Sequence, residues 1–532
     1  MKKSLINTIT TKLDLENDIS KLSIVDNIKI ELNKDILYKI LNEYTNMNDI
    51  EKYIIKLVTS KEEKIISILA NNYYENLFLS IYFIIGNPFS IDTHQFDILY
   101  DNYNIINEII VYIINQYNII INKPKLASFY NIDFINKWIE TIILKPVKKQ
   151  VYFNISKLNI KMKNEKWDKY KVIWKEFNKN CYLFKKYLFN VAKFYSLLPY
   201  NKVVGCSNIS KKLYLHCISM NISLDIKPKD IKKLEKWAFR ELSFLQNKMK
   251  KYLEIITKNN KITFSNIIKN LKLLSKTQKF TSEKEYIDIY TKCIDKYEKL
   301  FIGKYKLPQY IKPTLVPFNN SKLGHAYYNE NNFYLNCYYW NKTYKYTVES
   351  LVLHETIPGH HTQLHVGKYI NEIPNKGKEN NYLLYSYFFT LVNSIAEGWG
   401  LWSEKLGIDQ TIWDKIGQVE FETFRTLRII VDINLHYNGY TPDEMILFMS
   451  KYLAMDKQEI TNEVYRYICE PGQALSYKIG STFFKKIIEK NNITDLLEEK
   501  AIILYKKIIL DGIKPLNVLM KEYNITIDEL FS

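Results

Sequence analysis

A mostly α-helical protein carrying one small hairpin or sheet is the fold this sequence predicts. Three observations point there. Glycine is scarce, 15 in 532 residues, and proline modest at 13, which favours helix over turn-rich β structure. Long stretches place apolar residues at three- and four-residue spacing, the period of a core-facing helix. Helix-start signals recur along the chain. The length allows one large or two ordinary cores.

In chain order, residues 1 to about 200 read as a helical region whose role the sequence does not reveal; Asp49 to Ala70 has core periodicity, and no internal repeat is present. From Lys227 the pattern sharpens. Pro228 suits a first helical turn, and Ile231, Leu234, Ala238, Leu242, Leu245, Met249 and Tyr252 form one apolar stripe. Ser282 and Glu285 make a capping box that opens a helix running towards Leu300. Leu307 to Pro317, with three prolines, reads as a connector. Gly324 to Tyr346 is rich in Tyr, Phe and Trp, and Asn331-Asn332 separates two β-prone runs, so a hairpin or small sheet is expected. A strand there either pairs with an extended peptide through its edge or only packs. A helix begins near Thr347. After an irregular loop, Asn371 to Asn381, further helices are expected over Tyr382 to Leu406 and Gln410 to Tyr437. Gly439 ends the last of these, and T-P-D-E at Thr441 to Glu444 starts another. A second Pro-Gly, at Pro471-Gly472, breaks one helix and begins the next, and amphipathic helices follow from about 485. Ten of the fifteen glycines lie between Gly359 and Gly480, a compositional shift that suits a lobe boundary. The division expected is 1–200, 201–490, and 491–532 closing the same domain as 201–490.

The chemistry concentrates in L-V-L-H-E-T-I-P-G-H-H-T-Q, Leu351 to Gln363. The chain has eight histidines, and six (His325, His354, His360, His361, His365 and His436) fall in this region. Imidazoles around a glutamate suit Zn²⁺, which needs neutral nitrogen ligands and a carboxylate able to take a proton from bound water. In an unbroken helix, however, His354 and His360 lie roughly 240° apart, on different faces. His354 and His361 share a face but stand two turns, about 10 Å, apart. Pro358 resolves this. It lacks an N–H for the His354 carbonyl and its ring presses on that carbonyl, while Gly359 accepts almost any backbone angle. Without the two, H-E-T-I-H remains, so the Pro-Gly pair is expected to bulge out and return His360 beneath His354. His361 either supports the site or takes the place of His360.

A-E-G-W-G-L-W-S-E supplies the best third ligand. Glu397 stands amid apolar residues, where an unpaired carboxylate is costly; a cation would resolve that, as would a Lys or Arg partner. Glu404, two turns on, shares its face and is a candidate to steady a ligand from behind. Arg428, Asp432 and His436, spaced by four, line one helix face, with Arg425 nearby. They form either a surface ladder or a row that delivers His436 to the site, steadied by Asp432. The block Tyr465 to Gly480 holds Tyr467, and places Gln473 and Tyr477 on one face.

The net charge of +18 is spread as lysine, without an arginine-rich stripe or a nucleic-acid-reading motif, so no specific nucleic-acid partner is expected. Six cysteines, widely spaced with no C-x-x-C pair, suit reduced thiols inside a cell. No apolar signal core follows Met1, and Leu77 to Ile85 and Ile105 to Ile121 are too short or too polar to span a bilayer. A soluble, intracellular protein with no membrane partner is expected.

Taken together and in order, I-K-P-K-D-I-K-K-L, A-Y-Y-N-E-N-N-F-Y-L-N-C, H-E-T-I-P-G-H-H-T-Q, A-E-G-W-G-L-W-S-E, R-I-I-V-D-I-N-L-H and R-Y-I-C-E-P-G-Q-A-L-S-Y-K-I-G resemble the domain of unknown function 885 family, zinc-peptidase-like within the gluzincin group. The resemblance covers roughly residues 200 to 490. It implies a two-lobed helical metallopeptidase-like fold, one Zn²⁺ on His354, His360 and Glu397, Glu355 as general base, and a cleft lined by Arg428, Asp432, His436 and Tyr477. Two departures touch the substrate side: N-E-N-N replaces a Gly- and Ser-rich turn, and a glycine early in the Lys227 helix is absent.

The expected activity is zinc-dependent hydrolysis of short peptides. Glu355 would accept the proton of metal-bound water, and His436 and Tyr477 would donate to the oxyanion. Tyr467, Gln473, His361 and Glu404 would support the site or the substrate. The rival readings are hydrolysis of a non-peptide amide or ester at the same centre, and a basic binding protein with a vestigial metal site.

Overall fold

The computed structural model describes residues 203–532, except 260, 306–310, 321–323, 330, 365–391 and 511–513, together with a few isolated earlier positions. The chain divides into two compact units, Met1–His216 and Cys217–Ser532. The expected division at 200 and the helices proposed before it fall outside the described residues, as do both apolar runs and the loop 371–381. Residues 201–216 of the segment expected as 201–490 fall in the first unit, and residues 217–532 make up the second.

The second unit is mostly helical with one small sheet. Helix α1, Pro228–Thr257, opens on Pro228 and buries the stripe anticipated for it, with Tyr252 only partly covered. The short α2, Ile267–Leu274, folds back on it. Leu245, Met249, Leu253, Ile267 and Leu271 then meet Tyr346, Ile416 and Val419 in a common core. Helix α3 spans Glu283–Tyr305. Ser282 caps it by accepting from Glu285 N at 3.1 Å, and the Glu285 carboxylate reaches back to Thr281 N at 2.6 Å.

The sheet has three strands: β1, Thr314–Phe318; β2, Ala326–Asn329; and β3, Asn332–Asn336, in the order β1-β3-β2. β2 and β3 are the expected hairpin, antiparallel, turning through Asn331 at φ 65. β1 corrects the reading of 307–317 as a mere connector. It pairs parallel with β3 in spite of Pro317. As an edge strand it can carry a residue without an N–H. Asn336 closes the sheet. Its amide donates to the carbonyls of Asn320 and Gly324 at 2.7 and 3.0 Å and accepts from Asn320 N at 3.0 Å, tying the loop after β1 to β3.

Five helices hold the site. They are α4, Val348–Glu355; α5, Asn393–Ser403; α6, Ile412–Ile433; α8, Lys457–Cys469; and α9, Ser476–Lys490, with α7, Pro442–Met449, between α6 and α8. α6 is buried on nearly every side from Ile416 to Ile433. It continues into a wider turn, Asn434–Asn438, and stops at Gly439, which has φ 80. α7 has the expected cap: Thr441 Oγ1 accepts from Glu444 N, and the Glu444 carboxylate accepts from Thr441 N. α5 and α9 cross at Gly398 and Gly480, so tightly that a Cβ on Gly480 would lie 1.6 Å from the Ser394 carbonyl oxygen. That crossing brings Tyr477 to Glu397.

Polar groups inside the unit are matched in sets. Glu422 of α6 takes Lys478 at 2.6 Å and Lys405 at 2.8 Å, and Lys478 also reaches Glu241 of α1 at 2.8 Å. Burial alone would raise the Glu422 pKa, but the two ammonium groups outweigh it and hold the carboxyl well below its usual range.

Candidate metal centre

Helix α4 ends at Glu355, residues 356–359 bend, and a new helical segment starts at His360. The Pro-Gly pair therefore does what its chemistry dictates: it stops one helix and restarts another with the two histidines facing. The Ile357-Pro358 bond is cis. Gly359 lies against the end of α4, where a Cβ would meet the carbonyl oxygens of His354 at 1.9 Å and Leu353 at 2.3 Å. No side chain fits there. Thr356 N donates to the Val352 carbonyl at 2.9 Å, and Trp399 Nε1 donates to the Pro358 carbonyl at 2.8 Å, pinning the bend to α5. The imidazole of His354 rests on the backbone of Gly400, where a Cβ would approach its ring to 2.8 Å.

Among the described residues, His354, His360 and Glu397 gather as a possible metal site, with their ligand atoms all within 4.8 Å of one another. Nε2 of His354 lies 3.6 Å and Nε2 of His360 3.4 Å from Oε2 of Glu397. Ligands about 2.0–2.1 Å from a tetrahedral zinc stand about 3.4 Å apart, so the spacing fits such an ion. Behind His354, Nδ1 meets Glu404 Oε1 at 2.9 Å, which leaves Nε2 for the site. Glu404 is fully buried, and its second oxygen has no hydrogen-bond partner among the described residues.

The electrostatics draw positive charge. Burial would lower the His354 pKa, but Glu397 and Glu404 push it up to about 9. Burial would raise Glu397, yet the two imidazoles hold it well below the usual carboxylate range. Glu355 moves upward because of burial, only partly offset by His360 and His354. A carboxyl whose pKa is raised in this way is suited to accept and return a proton.

His354, Glu355, His360, Glu397 and Tyr477 share a cavity of about 1370 Å³. Its walls come from β2 (Ala326 to Tyr328), the turn around Tyr338 to Tyr344, α6 (Phe424, Arg425, Arg428) and α8 (Asn462, Glu463, Arg466). The Tyr477 ring stands 6.2 Å from that of His354. Burial, and then Glu397, raise its pKa, so its hydroxyl keeps its proton at neutral pH.

Other expectations are corrected. His436 is fully buried and off the cavity wall; its Nε2 meets the Tyr467 carbonyl at 2.9 Å. The widened turn after α6 rotates it away from the row that Arg428 occupies. Asp432 is also buried off the wall and accepts from Gly472 N at 3.0 Å, holding the second Pro-Gly turn. The row Arg428-Asp432-His436 therefore does not line the cleft as a unit; Arg428 alone does. Gln473 sits in the turn before α9, where its backbone bonds to the Glu470 carbonyl, and it is not a wall residue. His361 neither replaces His360 nor faces the cluster. It is fully buried, with Nε2 at 2.7 Å from the Ile311 carbonyl and Nδ1 at 3.1 Å from Tyr328 Oη, clamping the sheet to the bend. Tyr467 lies behind the wall, where its hydroxyl accepts from Arg428 Nε at 3.1 Å and donates to Glu463 at 2.9 Å.

Arg466 and Glu463 were not anticipated. Their spacing with Tyr467 on α8, at three and four residues, is the signal that points to them. His325, one of the six clustered histidines, is stacked 4.2 Å from Tyr339 and 3.1 Å from Glu459 and also lines the cavity.

The chain belongs to the DUF885 family, described as "Bacterial protein of unknown function", whose model matches residues 193–501. No curated protein matches it. Among solved structures, it is similar to a "putative lipoprotein" from Colwellia psychrerythraea at 16% identity and TM-score 0.71, covering 99% of this chain and 98% of that one. It is also similar to a "putative lipoprotein of unknown function" from Shewanella oneidensis at 14% identity and TM-score 0.61, covering 93% and 92%. At these identities the likeness speaks for the fold. Among the described residues no helix is long and apolar enough to cross a membrane.

Proposed function

We propose that this DUF885 member is a zinc-dependent hydrolase of the metallopeptidase type, acting on short peptides. The observation that carries the reading is the convergence of two imidazole nitrogens on Glu397 Oε2, with a buried carboxylate behind one imidazole and Glu355 in the same cavity. His354, His360 and Glu397 would hold the ion. When bound, zinc supplies an acidified water and a Lewis acid for a carbonyl oxygen.

The chain's own residues do the rest. Glu355, adjacent to a ligand and raised in pKa, takes a proton from the attacking water and returns it to the leaving amine. Tyr477, kept protonated, donates a hydrogen bond to the carbonyl oxygen as charge develops there. β2 pairs with β3 on one side and borders the cavity, so an extended peptide can add to its other edge through main-chain hydrogen bonds.

The test is zinc content and hydrolysis of a short-peptide pool by wild type, Glu355→Gln and His354→Ala. The reading expects about one zinc per chain in wild type and Glu355→Gln. It expects loss of zinc in His354→Ala and hydrolysis by wild type only. Full hydrolysis by Glu355→Gln would remove it from the role of base, and zinc retained by His354→Ala would reject the ligand set.

A further inference from the structure

We infer that the cavity holds, beside the metal ligands, a subsite for the free C-terminal carboxylate of a short peptide, built on Arg425 with Arg428 and Arg466. The inference rests on the peptidase reading for the nature of its ligand, and adds which end of the peptide is recognised.

The wall here carries more positive charge than the protein neutralises. Glu463 accepts from Arg428 Nη2 at 3.1 Å, Arg466 Nη2 at 3.0 Å and the Tyr467 hydroxyl at 2.9 Å. One carboxylate therefore serves two guanidinium groups, and Arg428 Nη1 and Arg466 Nε are buried without a hydrogen-bond partner. Glu470 approaches Arg466 only to 3.8 Å.

Arg425 is less satisfied still. It is 8% exposed, its Nε is buried without a partner, and among the described residues no carboxylate lies within ion-pair distance of it. Its guanidinium packs against the rings of Phe421 and Phe424, with Cζ 4.8 and 5.1 Å from their centroids. A buried, unpaired cation is costly. The rings of Phe421 and Phe424 hold the guanidinium beside the cavity that Arg425 lines. A planar fork of donors held this way matches a carboxylate bidentately.

Location selects the ligand. The Tyr477 ring stands 6.2 Å from the ring of His354, and the Cζ atoms of Arg428 and Arg425 are 4.5 and 5.6 Å from the Tyr477 centroid. The arginines are thus one aromatic ring removed from the metal ligands. A peptide residue spans roughly 3.3–3.6 Å, so a carboxylate held here ends the chain within a few residues of a bond at the metal site. That geometry suits removal of a short C-terminal piece from a peptide.

The probes are N-acetyl-trialanine with a free carboxylate and the same peptide as its carboxamide. Both are titrated calorimetrically into zinc-loaded Glu355→Gln protein and into Glu355→Gln carrying Arg425→Met or Arg425→Lys. The expected result is at least roughly tenfold tighter binding of the free acid. Arg425→Met should erase that preference while leaving amide binding unchanged, and Arg425→Lys should retain part of it. Equal affinity for acid and amide, no binding of either, or a preference that survives Arg425→Met overturns the subsite. Hydrolysis by the wild type is scored separately: an acid preference without hydrolysis keeps the subsite and defeats the peptidase reading, and hydrolysis of both peptides at equal rates does the reverse.

Discussion

Nδ1 of His354 lies 2.9 Å from Oε1 of Glu404, a carboxylate with no solvent exposure. The pair crosses from the last turn of α4 to the residue after α5, and it sets which imidazole nitrogen is left for a cation. Substitution Glu404→Gln should leave the fold in place and weaken zinc binding by about 10–100-fold. Chelator competition on both proteins measures this, and unchanged affinity would mean that the carboxylate does not tune the ligand.

Tyr477→Phe removes only the hydroxyl of a ring that lines the cavity. If that group stabilises developing charge, kcat should fall by about 10²–10³-fold with little change in KM. A rise in KM at constant kcat would instead mark Tyr477 as a binding residue.

Gly359→Ala places a methyl group where the His354 carbonyl oxygen lies 1.9 Å away. The bend must open, carrying His360 from Glu397. Loss of zinc and a lowered melting temperature are expected. Gly324→Ala, with no described residue within 4 Å of the new methyl, is the matched control and should change neither.

The Glu422 carboxylate, held between Lys478 and Lys405, contributes to acid sensitivity. Its folded pKa is depressed by the two lysines against the opposing effect of burial. The stability it adds is therefore complete above the unfolded carboxylate value of about 4.3 and is lost as pH falls below that. Between about pH 5 and pH 3, Glu422→Gln should lose less melting temperature than wild type. Lys478→Met, which leaves the acid facing Lys405 alone, should lower the melting temperature at neutral pH. Parallel slopes for wild type and Glu422→Gln would exclude the linkage.

Local chemistry in the chain was enough to determine several things. The restart between His354 and His360 follows from one missing N–H and one missing side chain. The caps at Ser282 and Thr441 follow from hydroxyls three residues ahead of carboxylates, and the stripe of α1 from periodicity. Glu397 was legible because a carboxylate in an apolar run needs a partner. Each of these depends on near neighbours in sequence.

Tertiary packing decided the rest. β1 forms from a proline-containing stretch only because β3 offers it a partner. His436 and Asp432 share the spacing of Arg428, yet the wider turn and the Pro471-Gly472 loop take them as internal hydrogen-bond partners, which no helical wheel reveals. Arg425, Arg428 and Arg466 come together because α6 and α8 pack side by side, and Tyr477 reaches Glu397 because α5 and α9 cross at two glycines. The α6–α8 and α5–α9 contacts join residues about 40 and 80 positions apart, a separation at which intrinsic propensity is silent and only packing speaks.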